Sequence, residues 1–247
     1  MKIFIITLMT LLGLGASEIT VAAAANLSYA MGEMVKEFKR ENPDIEVKVI
    51  FGGSGKLTAQ IAKGAPYGIF LSADRSYPES LFKNGLTANE PTVYARGALA
   101  ILSRKRREMD RGISILTDDS IRKIASANPK TAPYGKAAKE AMTKSGIFDK
   151  IAKKIVYAES ISQTVAYTMT AADIGLVAKS SLYSPSMKAM KRGDNWVEVD
   201  PSLYRPIDQS MVILRYGKGK EGYEKFYNFI LSAESRKILE KYGYILP

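Results

Sequence analysis

The chain has 247 residues, with 36 Lys plus Arg against 25 Asp plus Glu for a formal charge of +11, and it contains no histidine and no cysteine. That length is enough to bury a core in one large domain or two modest ones, and 46% hydrophobic with 25% charged residues is the balance of a globular fold. The two missing residue types exclude disulfides, thiolate-held metals and Ser-His-Asp or Cys-His catalysis, so composition favours a binder over an enzyme.

Met1-Lys2, the apolar run Ile3–Leu12 and then Gly13-Leu14-Gly15-Ala16 match a secretory signal peptide, with residues 1–16 removed. The run is too short to span a bilayer, which takes about 20 apolar residues. With no cysteine to carry a lipid, the mature chain is expected to be free in the periplasm.

Beyond the leader, Ile19–Ala24 reads as a buried strand, and Met31, Met34, Val35 and Phe38 mark one face of a helix over about 28–40. Asn42-Pro43-Asp44 stops it, and Ile45–Ile50 alternates as a strand running into Gly52-Gly53-Ser54-Gly55. A helix over about 56–63, a strand Ile69–Ala73, a helix near 77–83 and a strand Gly97–Leu102 follow. Helical patterns then cover about 119–125, 135–144 and 161–170, with strands at Ile174–Ala178 and Ser210–Leu214 and helices through the tail.

Alternating strands and helices with short connections give an α/β fold with mostly parallel sheets covered on both faces. The economical arrangement is two lobes, 17–96 plus 211–247 and 97–210, joined by two hinge crossovers around a cleft. The basic run Arg104–Arg107 has no interleaved aromatics and reads as a solvated connection, so nucleic acid is not an expected partner.

Ligands of open α/β sheets sit beyond the carboxyl ends of strands, where helix starts offer unpaired N–H groups and partial positive charge. Three loops have that placement and are rich in small donors: Ala24-Ala25-Asn26-Leu27-Ser28, Gly52-Gly53-Ser54-Gly55-Lys56 and Ser160-Ile161-Ser162-Gln163. Asn26 and Ser28 also suit plain helix capping, and the glycines a plain turn. The glycine loop is not a phosphate-binding Walker loop: Ile50 stands where its first glycine belongs and Leu57 where its Ser or Thr belongs.

At these loops the chain resembles the periplasmic molybdate-binding proteins of ABC importers, across essentially the whole mature sequence. The resemblance is carried by Val21–Leu27, Phe51–Ile61, Gly64-Ala65-Pro66, Leu71–Asp74, Asn128-Pro129, Ala132–Gly135, Ala158–Ile161 and Lys241-Tyr242-Gly243. It implies a type II binding-protein fold that grips a tetrahedral oxyanion, molybdate or tungstate, between its lobes. It further implies no cofactor, no catalysis, a monomer, and delivery to an inner-membrane ABC permease.

Carried over by position, the resemblance implies oxyanion contacts at Ala25, Asn26, Ser54, Tyr134 and Ile161, with Tyr134 giving its hydroxyl or its backbone N–H. Many members have Ser at the place of Asn26 and a tyrosine at the place of Ala178, so Asn26 and Tyr134 read as an alternative donor set. A fully deprotonated dianion accepts only, so Asn26 is expected to turn its NH₂ group toward it. Phosphate keeps a proton that a donor-only cage leaves unmatched, at about 1–3 kcal/mol. Lys56 is expected to stay outside the cage. The alternatives are a sulfate binder, a cysteine-dependent synthase of similar fold (hydroxymethylbilane synthase), which the absence of cysteine disfavours, and the effector half of a transcription regulator, which the export signal disfavours.

Overall fold

The computed structural model describes residues 17–247; the expected export signal over 1–16 lies outside the described residues. From the amino end the chain runs β1 (Ser17–Ala24), α1 (Met31–Glu41), β2 (Ile45–Gly52), α2 (Ser54–Ala62), β3 (Ile69–Leu71), α3 (Ser76–Lys83) and β4 (Thr92–Gly97). It crosses at Ala98 into β5 (Leu99–Leu102), then β6 (Ile124–Ala127), α4 (Pro133–Lys144), α5 (Phe148–Ile151), β7 (Ile155–Ala158), α6 (Ile161–Thr170), β8 (Ile174–Ala178) and β9 (Trp196–Glu198). A second crossing leads to β10 (Ile207–Ile213), α7 (Glu221–Ile230) and α8 (Ala233–Lys241).

Two five-stranded sheets result, ordered β2-β1-β3-β10-β4 and β7-β6-β8-β5-β9. In each, four strands point one way and one is reversed: β10 is antiparallel to β3 and β4, and β5 to β8 and β9. The sheets are therefore mixed in pairing though largely parallel in strand direction. Both reversed strands are the ones that enter directly from the other lobe, so the two crossovers and the two reversed strands are one feature.

All of β10 pairs in the first sheet, from Ile207 opposite Gly97 onward. The second crossing thus falls before Ile207, and residues 207–210 belong with the first lobe, a few residues earlier than the sequence boundary at 210. Other differences are local. The expected helix over 119–125 is an irregular segment leading into β6, while β4, β6, β7 and β9 are strands the sequence pattern did not mark.

Each sheet buries both faces, as strands flanked by helices must. On β1, Ile19, Val21 and Ala23 face α1, α7 and α8, with Phe38 edge-on to Phe226 at 5.0 Å. Ala22 and Phe70 face the other way onto Leu57, Ile61 and Leu81. In the second lobe, Leu99, Ile101, Ile124 and Leu176 pack on Ala137, Ala138, Ala141 and Met142, with Ala100, Leu102 and Val177 beneath Val165 and Leu182. These cores hold the carboxyl ends of β1, β2, β6 and β7 in place, and all four ends open toward the same interlobe gap.

Candidate functional site

The lobes meet in a closed arrangement around a small cavity lined by Ala24, Ala25, Asn26, Gly52, Gly53, Ser54, Ala73, Ala132, Pro133, Tyr134 and Ile161. The five residues singled out from the sequence, which come from four separate stretches of the chain, therefore surround one space. No carboxylate or ammonium group lines it. Among the described residues there is also no cluster of His, Cys, Asp or Glu able to hold a metal ion. A larger groove of about 670 Å³ lies on the outside of α4, bordered by Lys136, Lys139, Glu140, Lys144, Tyr204 and Arg205. It lacks converging helix starts and stays open, so its size does not make it the better ligand site.

Five chain turns supply the cavity wall, one of them through Ala73 after β3, and the other four carry the expected residues. Ala25 and Asn26 open a 3-10 turn after β1, Ser54 starts α2, Tyr134 follows Pro133 at the start of α4, and Ile161 starts α6. The first N–H groups of a helix have no intrahelical partner, and here the residues of four such starts line one cavity. Proline at the first position of α4 gives up no bond, because that N–H is unpaired in any helix. Ser160 caps α6 by accepting from the Gln163 N–H at 3.3 Å, so the capping residue leaves Ile161 as the first helical donor.

Ser54 is 1% exposed, and its Oγ accepts from the Ala73 N–H at 3.1 Å. Among the described residues its own hydroxyl proton has no acceptor, so it is available to a ligand. The lobes touch through Gly55 N–H donating to Thr131 O at 3.0 Å and Ser162 Oγ donating to Ala25 O at 2.7 Å. Lys56 lies outside the cavity wall; its exposed ammonium reaches Glu159 Oε2 at 3.4 Å across the mouth.

Behind Asn26 is a buried polar network that the sequence reading missed. Asn26 Nδ2 donates to Gln209 Oε1 at 2.9 Å and to the Tyr244 hydroxyl at 2.8 Å. Tyr94 OH donates to Gln209 Oε1 at 3.0 Å, and Gln209 Nε2 donates to Tyr134 OH at 3.1 Å. In this arrangement both amide protons of Asn26 are engaged inside the protein, and its buried Oδ1 has no partner among the described residues. The Tyr134 hydroxyl accepts from Gln209 Nε2, which fixes its oxygen while leaving its proton free to donate, and its backbone N–H stands at the helix start.

Burial raises the hydroxyls of Tyr94, Tyr134 and Tyr244 well above the ordinary value of 10.0, so they remain neutral hydrogen-bonding groups. A raised folded-state pKa adds stability that is complete below the unfolded value and disappears as pH climbs through the folded one. Urea unfolding is therefore expected to show stability unaffected by these tyrosines below about pH 10 and falling above it, with a shallower alkaline fall in Tyr94→Phe.

Residues 19–245 match the family described as bacterial extracellular solute-binding proteins. The chain belongs to that family. Among solute-binding relatives, it is 34% identical over 231 residues to the molybdate-binding protein ModA of Azotobacter vinelandii, covering 93% of this chain and 90% of the relative. Identity to the molybdate-binding protein ModA of Rhodobacter capsulatus is also 34%, over 93% of this chain and 89% of that one. The solved periplasmic molybdate-binding protein of Azotobacter vinelandii superposes with a TM-score of 0.86 at 31% identity, covering 93% of this chain and 99% of that one. A sulfate-binding protein of Mycobacterium tuberculosis superposes at 0.74 with 13% identity over 92% of this chain and 86% of that one, a likeness of fold alone. This solute-binding protein thus has the two-lobed fold that its sequence implied.

Proposed function

We propose that this protein captures molybdate, and with it tungstate, between its lobes in the periplasm and delivers the anion to an inner-membrane ABC permease, performing no chemistry. Export through a cleaved segment over residues 1–16 and action as a monomer, without nucleic acid, belong to the same reading. The observation that carries it is a buried interlobe cavity with several donors at helix starts and no charged side chain. Charge-assisted hydrogen bonds from fixed N–H and O–H groups spread a dianion's charge without a flexible lysine in contact. In this reading the donors are the Ser54 hydroxyl and N–H and the N–H groups of Ala25 or Asn26, Tyr134 and Ile161, with the Asn26 side chain joining them once its amide turns from the orientation that donates to Gln209 and Tyr244. The names of the relatives at 34% identity support the choice of anion.

The hinge gives the protein a way to signal loading. A ligand that touches both lobes stabilises the closed state, and a permease can distinguish closed from open. Sulfate is the competing ligand, since it offers the same acceptors on a smaller body. Competitive calorimetry at constant ionic strength is expected to rank molybdate and tungstate together, sulfate well below and phosphate lowest, with small-angle scattering showing compaction on saturation. Equal affinity for sulfate, or an unchanged radius, overturns the assignment.

A further inference from the structure

Asn26 is fully buried and is one of the residues lining the cavity, and its Oδ1 has no hydrogen-bond partner among the described residues. A lone acceptor is the wrong group to offer an anion that only accepts. The two ends of a carboxamide are nearly the same size, so an amide can exchange donor for acceptor by a half-turn with no other atom moving. Asn26 cannot do this alone: its oxygen would then meet Gln209 Oε1, which now accepts from Asn26 Nδ2 at 2.9 Å.

Turning both amides together removes the conflict. Gln209 Nε2 then donates to Asn26 Oδ1 and to Tyr94 OH, across the contacts now at 2.9 and 3.0 Å. Tyr94 passes its proton to Ser72 O, already 3.4 Å away, and Tyr134 OH donates to Gln209 Oε1 across the present 3.1 Å contact. Tyr244 OH turns its proton from Asn26 O to Asn26 Oδ1, while Ser180 Oγ still donates to Asn26 O at 3.1 Å. Every existing contact among these side chains survives with its polarity reversed, and the unpartnered atom beside the cavity becomes an NH₂ donor. The same five side chains thus have one arrangement that repels an oxyanion and one that receives it.

We propose that Gln209 is a positioning residue whose amide orientation determines whether Asn26 presents its NH₂ group or its oxygen to the bound oxyanion. Gln209 sits on β10, the strand that crosses from the second lobe into the first, and it holds Tyr134 of the opposite lobe. The network therefore joins anion polarity to lobe contact. The proposal rests on the oxyanion reading of this cavity.

The decisive variant is Gln209→Glu. An ionised carboxylate accepts from Asn26 Nδ2 but cannot donate to Oδ1, so it fixes the asparagine oxygen toward the ligand. Molybdate affinity at pH 7.5 is expected to fall by about 10- to 100-fold, the effect of one mismatched buried polar group. It should recover as pH is lowered to 5.5, where a protonated carboxyl can donate, while the wild type stays flat. In an Asn26→Ala background the same change is expected to cost little, because its target is gone. Full additivity of the two changes would mean that the introduced carboxylate acts only by charge, and overturns the proposal. The wild-type chain gives a test independent of variant folding: the Asn26 side-chain NH₂ resonances, assigned through Asn26→Ser, should shift on adding molybdate. No shift in a chain that binds molybdate overturns the proposal alone; no molybdate binding by the wild type overturns the oxyanion reading with it.

Discussion

Ser54→Asp is expected to abolish molybdate binding, with affinity down at least about a thousandfold, while the protein still folds. The Ser54 side chain is enclosed, and its oxygen is held by the Ala73 N–H at 3.1 Å. A carboxylate at this position can keep that bond, and it stands in the first turn of α2, where negative charge is stabilised by the helix dipole. The free protein therefore loses little. The dianion, however, would have to approach a like charge at close range between the lobes, and like-charge juxtaposition costs several kcal/mol. Ser54→Ala removes one donor without adding charge and is expected to cost only about 1–3 kcal/mol. Calorimetry with both variants separates the two effects, and a melting temperature near wild type for Ser54→Asp shows that the loss is local. Binding by Ser54→Asp within tenfold of wild type would remove Ser54 from the site.

The sequence made the site loops legible because their chemistry and their placement agree. Small donors followed strands β1 and β2 and preceded α6, and strand ends followed by helix starts are where an α/β protein binds ligands. Elements with strong periodicity came through well: α6 over Ile161–Thr170 and β8 over Ile174–Ala178 fall where the pattern placed them. β6 did not, because Ile124-Ala125-Ser126-Ala127 has little intrinsic strand preference and follows Asp118-Asp119-Ser120, which resembles a helix start. Tertiary pairing with β7 and β8 makes it a strand.

The Gln209 network was legible only as an oddity. Asp208-Gln209-Ser210 interrupts an otherwise apolar strand, which marks a buried polar position without naming its partners. Asn26 lies 183 residues away, and only the pairing of β1, β3 and β10 in one sheet brings the two amides together. The chemistry of single residues could be read one at a time. Which proton each donates depends on the whole chain of neighbours.

The second large effect concerns closure. Gly55→Ala is expected to stabilise the unliganded protein slightly while weakening molybdate binding by about 10- to 100-fold. Gly55 lies in the first turn of α2 and has no positive φ, so alanine suits its backbone and raises helix propensity by up to about 1 kcal/mol. In the closed form a Cβ at this position would stand 2.6 Å from the Tyr77 hydroxyl oxygen and 2.9 Å from Thr131 O. The first is the end of a side chain that can swing aside. The second is backbone of the opposite lobe, which moves away only if the lobes part and Gly55 N–H loses its 3.0 Å bond to it. Overpacking of this kind costs about 1–3 kcal/mol, charged here to the closed state alone. Thermal melts should therefore move in opposite directions without and with ligand, and scattering of the loaded variant should show a larger radius than loaded wild type. If alanine leaves affinity unchanged while the radius still contracts fully, the lobes do not need this approach to bind, and closure is set by contacts elsewhere around the cavity.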